Sequence, residues 1–356
     1  MPLDSRLEEN KPLAPFTTLG IGGPARWFFE ATSEDTIVEA AAWARRRGTS
    51  LFVLGGGSNL VVSDAGFDGL VVHIALRGIA AADVCGGSGQ RIYRVAAGED
   101  WDQFVQRSID DNCAGVECLA GIPGTVGGTP VQNVGAYGQE VSSTIERVRT
   151  FDLHQHAFVE FTAEECGFLY RKSRFNTADR GRYVVTRVDY RLTSDGEPTT
   201  RYADLHCALV PNTQASLRDV AQAVRRIRRG KGMLLVEGDP DCRSAGSFFK
   251  NPVVGENHAV RIAVICGEEP PRFPPGDGVE NAGKVKIPAA WLIEHAGFTK
   301  GYALGAAGIS SRHTLALINR GGATAHQILG LADAIKIAVR ARFDIELEME
   351  PVLVGF

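Results

Sequence analysis

The sequence predicts a multi-lobed α+β fold, and three observations carry that expectation. At 356 residues the chain is long enough for two or three domains with separate cores. Segments of helical period alternate with segments of strand period along it. Two glycine-rich loops lie in the N-terminal half, and from about residue 216 the texture becomes helical and basic.

In chain order, residues 1–14 read as a polar arm, and Phe16 to Gly23 is a turn-rich entry. Ser33 suits a helix N-cap, with Glu34 and Asp35 in the positive first turn. Ile37, Val38, Ala41 and Ala44 share one face, and Arg45, Arg46, Arg47 and Gly48 close the helix. Strands at 51–54 and 70–74 flank the first glycine loop, giving a lobe over residues 15–78. A strand at 92–97 precedes a helix at 101–112 with Trp101, Phe104, Val105 and Ile109 as its stripe. Strands follow near 145–153 and 183–192. In the latter, Val184, Thr186, Val188, Tyr190 and Leu192 alternate with Val185, Arg187, Asp189 and Arg191, a half-buried antiparallel pattern. Ala163 to Arg171 reads as a short helix leading into a turn, and this second lobe spans 79–215.

A third domain is expected over 216–342. Leu217, Val220, Val224 and Ile227 mark its first helix, which ends in Arg225, Arg226, Arg228, Arg229 and Lys231. Such a cluster is ordinarily a solvated face; phosphates of a substrate or nucleotide are the alternative partner. A helix at 289–296, a strand at 314–318 and a helix at 325–342 follow, the last with a capping box from Thr324 to Gln327. Residues 343–356 end as a strand, Ile345 to Val354.

Composition excludes several functions. Apolar residues make up 44% and charged residues 22%, with a net charge of −4. That is ordinary for a globular protein and argues against a nucleic-acid or membrane-surface partner. The first residues lack an apolar signal core, and no apolar run suits a membrane span. Seven cysteines without a CxxC pair fit a reducing compartment, so a cytoplasmic location is expected, with Cys113 and Cys118 as buried thiols. No metal site is expected, and a monomer is.

The stretch from Leu119 to Gly138 holds six glycines, two prolines and no charged residue. Glycine and proline at that density stop helices and central strands. Backbone N–H groups left uncovered in a row form an anion site, and Gln132 and Asn133 add side-chain donors. The arrangement suits a diphosphate held by dipoles. The second loop, Gly55-Gly56-Gly57-Ser58-Asn59, follows the apolar run 51–54. It has neither the GxGxxG of a dinucleotide fold nor the GK[ST] of a P-loop. Two such loops together suit one extended cofactor clamped between two lobes.

GGGSN, AGIPGTVGGTPVQNVGAYG, Tyr170-Arg171 and Ser244-Ala-Gly-Ser-Phe-Phe-Lys-Asn-Pro252, in this order, resemble the UDP-N-acetylenolpyruvoylglucosamine reductase family from about Leu13 to the C-terminus. The resemblance implies a two-lobed FAD-binding module of the vanillyl-alcohol-oxidase type and a separate α/β substrate-binding domain, with residues 343–356 returning a glutamate to the cleft. By it, the FAD contacts fall on Leu54, Gly55, Gly56, Gly57, Ser58 and Asn59. They continue on Gly121, Ile122, Pro123, Gly124, Gly127, Gly128, Gln132, Asn133, Gly135, Ala136, Tyr137 and Gly138. Residues 119–138 contain no histidine or cysteine, so a covalent flavin link there is not expected.

The resemblance makes Ser247 a proton donor. Alone, a serine in this setting is a turn hydroxyl, and without a GxSxG context acyl transfer is rejected. A weak acid is adequate when the base is a strongly basic enolate-type carbanion. Arg171, on its own a surface ion pair worth at most about 1 kcal/mol, corresponds to the arginine facing the enolpyruvyl carboxylate. Its planar fork fits that group bidentately. Glu346, Glu348 and Glu350 alternate, so they share one side of the terminal strand. The family's glutamate aligns with Glu350, but the ending reads L-E-M-E-P-V where L-E-P-E-V is commoner, so Glu348 stays open. Such a carboxyl must be protonated to donate a hydrogen bond. Tyr202 matches a tyrosine that closes over the substrate diphosphate in one subclass. Lys231, Asn251 and Lys286 match further substrate or nucleotide contacts. Phe273 and His313 replace a tyrosine and an amide.

The implied reaction uses NADPH as hydride donor and reduces an enolpyruvyl UDP-N-acetylglucosamine to UDP-N-acetylmuramate, a peptidoglycan precursor. A flavin-dependent sugar or lactone oxidase and a non-catalytic nucleotide-binding regulator are the competing readings. The first has no need of SAGSFFKNP; the second has no need of Arg171, Ser247 and a terminal glutamate together.

Overall fold

The computed structural model describes residues 3–84, 89–209, 214–275 and 282–356. The chain divides into two compact units. The first comprises Met1–Lys11, Ala25–Gly57 and Phe67–Arg229; the second comprises Pro12–Pro24, Ser58–Gly66 and Gly230–Phe356.

In the first unit, helix α1 (Glu34–Arg47) starts at the expected cap. Ser33 Oγ accepts the Thr36 N–H, Thr36 Oγ1 accepts the Ser33 N–H, and Gly48 ends the helix at φ +61°. Strands Pro24–Ala31 and Leu51–Leu54 both run parallel to Phe67–Ile74, which lies between them. The N-terminal arm is structured rather than free. After a 3₁₀ turn (Leu3–Arg6), Glu8–Pro12 forms the edge strand of this sheet. Asp4 fixes it by accepting the Trp43 indole N–H at 2.7 Å and an Arg47 N–H at 2.8 Å. A polar sequence is what an exposed edge strand tolerates.

The second sheet of this unit runs in the order Ala157–Thr162, Ile145–Asp152, Tyr183–Ser194, Gln90–Ala96, Ile79–Asp83, antiparallel throughout. Strand Tyr183–Ser194 is more buried than its alternation suggests, because Val185 and Asp189 are also covered. Arg187 holds Asp189 through two hydrogen bonds of 2.6 and 3.1 Å. On its neighbour, Thr186 donates to Glu34 at the start of α1. Helix α2 (Trp101–Asp110) is capped by Asp100, and Trp101, Phe104 and Tyr190 pack together in the core. Cys113 and Cys118 are buried.

The short helix expected at Ala163–Arg171 does not form. Gly167, at φ +59°, ends a single turn closed by Cys166 N–H to Thr162 O. Leu169 and Lys172 then exchange two backbone hydrogen bonds of 3.0 Å as a tight hairpin, with Arg171 at φ +56°. Helix α3 (Ala203–Ala208) is short. Helix α4 (Leu217–Gly230) buries Leu217, Val220, Ala221, Ala223 and Val224 in the first unit's core. It therefore closes the first unit instead of opening the second, as expected from residue 216.

The second unit has an antiparallel sheet in the order Ser244–Ser247, Ala316–Asn319, Ala307–Ile309, Ala303–Leu304. Helices α5 (Glu256–Cys266), α6 (Ala289–His295) and α7 (Ala325–Phe343) cover its core of Phe248, Phe249, Leu292, Ile328 and Ile335. Helix α5 has no counterpart among the elements the sequence predicts. The capping box at Thr324 forms, and Asp64 adds acceptors for the Ala325 and His326 N–H groups at 2.7 and 3.0 Å. Of the expected strand 345–354, only Val352–Val354 is regular, lying parallel to Leu60–Val62. Pro351, which has no N–H, separates it from the preceding residues.

Candidate active site

The two glycine loops meet within the first unit. A Cβ on Gly56 would stand 2.5 Å from the Gly124 Cα, and one on Gly55 would stand 2.9 Å from Thr125 Oγ1. The long loop is pinned to the segment that starts α2. Val126 N–H donates to Glu99 O, Gly127 N–H to Ala97 O, and Trp101 N–H to Gly124 O, while the Trp101 indole donates to Leu119 O. Thr129 hydrogen-bonds the buried Tyr190 hydroxyl at 2.6 Å, and burial raises that phenol's pKa. Gly128 is different: no positive φ is imposed there, and a Cβ would meet nothing within 4 Å. Neither local packing nor backbone conformation requires glycine at that point.

Asn133 is 1% exposed and takes φ +45°. Its side-chain NH₂ donates to Glu140 and to Leu169 O, and its side-chain oxygen accepts the Ser142 N–H. The amide expected as a cofactor donor is thus occupied in shaping the loop. Its bond to Leu169, with Ser173 Oγ donating to Val131 O at 2.7 Å, ties the Arg171 hairpin to the glycine loop. Arg171 lies with its guanidinium carbon 5.5 Å from the Tyr170 ring centroid. Tyr202, 40% exposed, stands edge-on to Tyr137 with ring centroids 5.5 Å apart. The segment before it is fastened by Glu117, a buried carboxylate that accepts the Thr199 N–H and a Gln139 N–H.

Ser58, Asn59, Ser247 and Glu350 belong to the second unit. Residues 244–250 form a strip with a partner on each side. Ser247 pairs with Ala316 and Phe248 N–H donates to Leu315 O. Across the other edge, Glu350 N–H donates to Phe248 O, Lys250 N–H donates to Glu348 O, and Phe249 faces Met349. Gly246, at φ +73°, sits in the irregular register between Ser244 and Ser247. Asn59 Nδ2 holds the Glu350 carbonyl at 3.2 Å. The two glutamates differ in setting. The Glu348 side chain is 65% exposed and ion-paired with Lys250, whereas Glu350 is half-buried.

Asn251 Oδ1 accepts the Ala289 N–H at 2.9 Å and so caps α6. Lys286 exchanges backbone hydrogen bonds with Phe273, whose ring is exposed. Lys231 lies close enough to His313 to bias its charge. Burial, with the fields of Lys231 and Lys300, pushes the His313 pKa down to about 4.

Comparison with known proteins follows the same division. Residues 25–154 match an FAD binding domain, and residues 239–354 match the C-terminal domain of UDP-N-acetylenolpyruvoylglucosamine reductase. The UDP-N-acetylenolpyruvoylglucosamine reductase of Thermobifida fusca (strain YX) is 47% identical over 355 residues, covering 97% of each chain. The chain belongs to the UDP-N-acetylenolpyruvoylglucosamine reductase family. A relative so named from Streptomyces coelicolor is 46% identical over 354 residues, covering 97% of this chain and 89% of its own. The crystal structure of the Thermus caldophilus reductase matches with a TM-score of 0.65 at 27% identity, covering 98% of this chain and 99% of that one.

The reductase family's FAD fits the first unit's loops on their own chemistry. They are free of charge from Leu119 to Gly138, they approach each other backbone to backbone, and Gly128 faces open space. A buried guanidinium, Arg228, donates to the Gly121 carbonyl beside them. In sequence Arg228 stands in a basic cluster whose ordinary reading is a solvated face. Its spacing was the missed signal: Arg228 follows Val224 by four residues and Ala221 by seven, the period of α4's buried face.

Proposed function

We propose that the protein is an FAD-dependent reductase of its family, turning the enolpyruvyl ether of UDP-N-acetylglucosamine into UDP-N-acetylmuramate for peptidoglycan, with NADPH as the donor. FAD, held non-covalently by residues 54–59, 121–124, 127, 128, 132, 133 and 135–138, supplies the hydride chemistry when bound. The chain's own residues bind, orient and protonate. Arg171 takes the enolpyruvyl carboxylate in its planar fork and opposes the negative charge that grows there. The Ser247 hydroxyl delivers a proton to the carbon bearing that carboxylate. The Glu350 carboxyl, protonated, donates a hydrogen bond to the enolate. Tyr202 closes over the substrate diphosphate, and Lys231, Asn251 and Lys286 contact substrate or nucleotide. The protein acts as a monomer in the cytoplasm.

The observation that supports this assignment is the strip 244–250, which sets Glu350 directly across from the residue after Ser247. Glu350 is preferred to Glu348 because the family's glutamate aligns with it and because its side chain is the less exposed of the two. The test uses purified protein without oxygen. NADPH should bleach its yellow colour, and the enolpyruvyl substrate should restore it. Ser247→Ala should still be bleached by NADPH yet fail to recolour with substrate; normal turnover by that variant would remove Ser247 as proton donor. Rapid recolouring of the wild type by oxygen alone, with none by substrate, would favour the oxidase reading.

A further inference from the structure

Arg228 is a cation that the first unit has largely removed from water, at 8% exposure. Desolvating a guanidinium is costly unless its hydrogen bonds and field are used. Its Nε–H donates to the Gly121 carbonyl at 3.0 Å, and its side chain also hydrogen-bonds Tyr137. Gly121 stands near the start of the long glycine loop and Tyr137 near its end, and both have positive φ, +72° and +50°. One side chain therefore spans the loop. The other polar group of Gly121 is held as well: its N–H donates to Asp102 Oδ1 at 2.6 Å, and that oxygen accepts Arg225 Nη2 at 2.8 Å. Two arginines on α4 and an aspartate on α2 thus fix both backbone groups of one glycine.

We infer that Arg228 is a positioning residue for the cofactor, holding the two ends of the glycine loop in the conformation that binds the FAD diphosphate and placing a desolvated positive charge beside it. The inference rests on the FAD reading of these loops. Its chemistry needs arginine: the fork reaches Gly121 and Tyr137 together, whereas a lysine keeps the charge and loses that geometry.

The test measures FAD dissociation constants on full-length protein freed of flavin, for wild type, Arg228→Gln, Arg228→Lys and, as a control on the exposed face of α4, Arg226→Gln. Unfolding midpoints are recorded with and without FAD. Loss of charged hydrogen bonds and the field should weaken FAD binding about 100-fold in Arg228→Gln and about tenfold in Arg228→Lys. Arg226→Gln should bind like wild type. A merely structural residue would lower the flavin-free midpoint and leave the dissociation constant of the folded protein within about twofold, and that result overturns the inference. Should Arg228→Gln fail to fold, Arg228→Lys decides on the same twofold criterion. Wild type that binds no FAD would instead overturn the reading of the loops, and the inference with it.

Discussion

His313→Gln separates one titration from the rest of the protein. The imidazole is partly buried, its Nδ1 accepts the Leu315 N–H at 3.1 Å, and Lys231 and Lys300 oppose its protonation. The folded pKa of about 4, against an ordinary 6.5, means that the unfolded chain takes up a proton that the native one refuses. Stability should therefore fall as pH drops from about 6.5, and this loss should level off near 4. At about 1.4 kcal/mol per pH unit, the interval sets a ceiling of about 3 kcal/mol. Glutamine can accept the Leu315 N–H and does not titrate. Urea unfolding of both proteins at half-unit steps from pH 4 to 7.5 gives the stability difference, in which carboxylates common to both cancel. Glutamine should gain on histidine steadily below pH 6.5. A difference that stays flat across this range would refute the placement of a neutral imidazole among those cations.

Substitutions at three further positions test the structure elsewhere. Gly56→Ala sets a methyl 2.5 Å from the Gly124 backbone, so it should cost about 1–3 kcal/mol in thermal unfolding and weaken FAD binding more than tenfold. Asp64→Ala removes acceptors from the first N–H groups of α7 and should cost about 1 kcal/mol by denaturant titration, with Asp64→Asn losing less. Asp152 accepts Arg182 and the N–H groups of His154 and Gln155, which hold its carboxyl at about 2. Its contribution is present above pH 3.8 and lost as pH falls through about 2; Asp152→Asn should flatten that part of the acid-unfolding curve.

Much of the first unit was legible because its signals are local. Ser33, the acidic first turn and Gly48 each act on their own backbone, and α1 runs between them. The glycine loops were legible as well, since six glycines and two prolines leave few alternatives. Helix α5 was missed although Gly255 and Gly267 bracket it, because its run of Val260, Ile262, Val264 and Ile265 lacks a clean apolar stripe. The 163–171 segment was read as helical from its composition, but Gly167 and a hairpin closed by Lys172 prevailed. Partners distant in sequence were beyond reach. Nothing in the order of residues says that Asn59 holds Glu350, that Lys250 takes Glu348, or that Asn133 is consumed within its own loop.

Strand Leu60–Val62 has for its neighbour Val352–Val354, far along the chain. On the ribosome, residues 12–24 and 58–66 emerge early yet find their companions only once the segment from Gly230 onward has been made. The first unit has its full complement once Arg229 has left the exit tunnel, whereas the other must wait for the residues up to Val354. A growing chain stalled before residue 352 should therefore protect α1 from protease while leaving the early fragments of its companion open to cleavage.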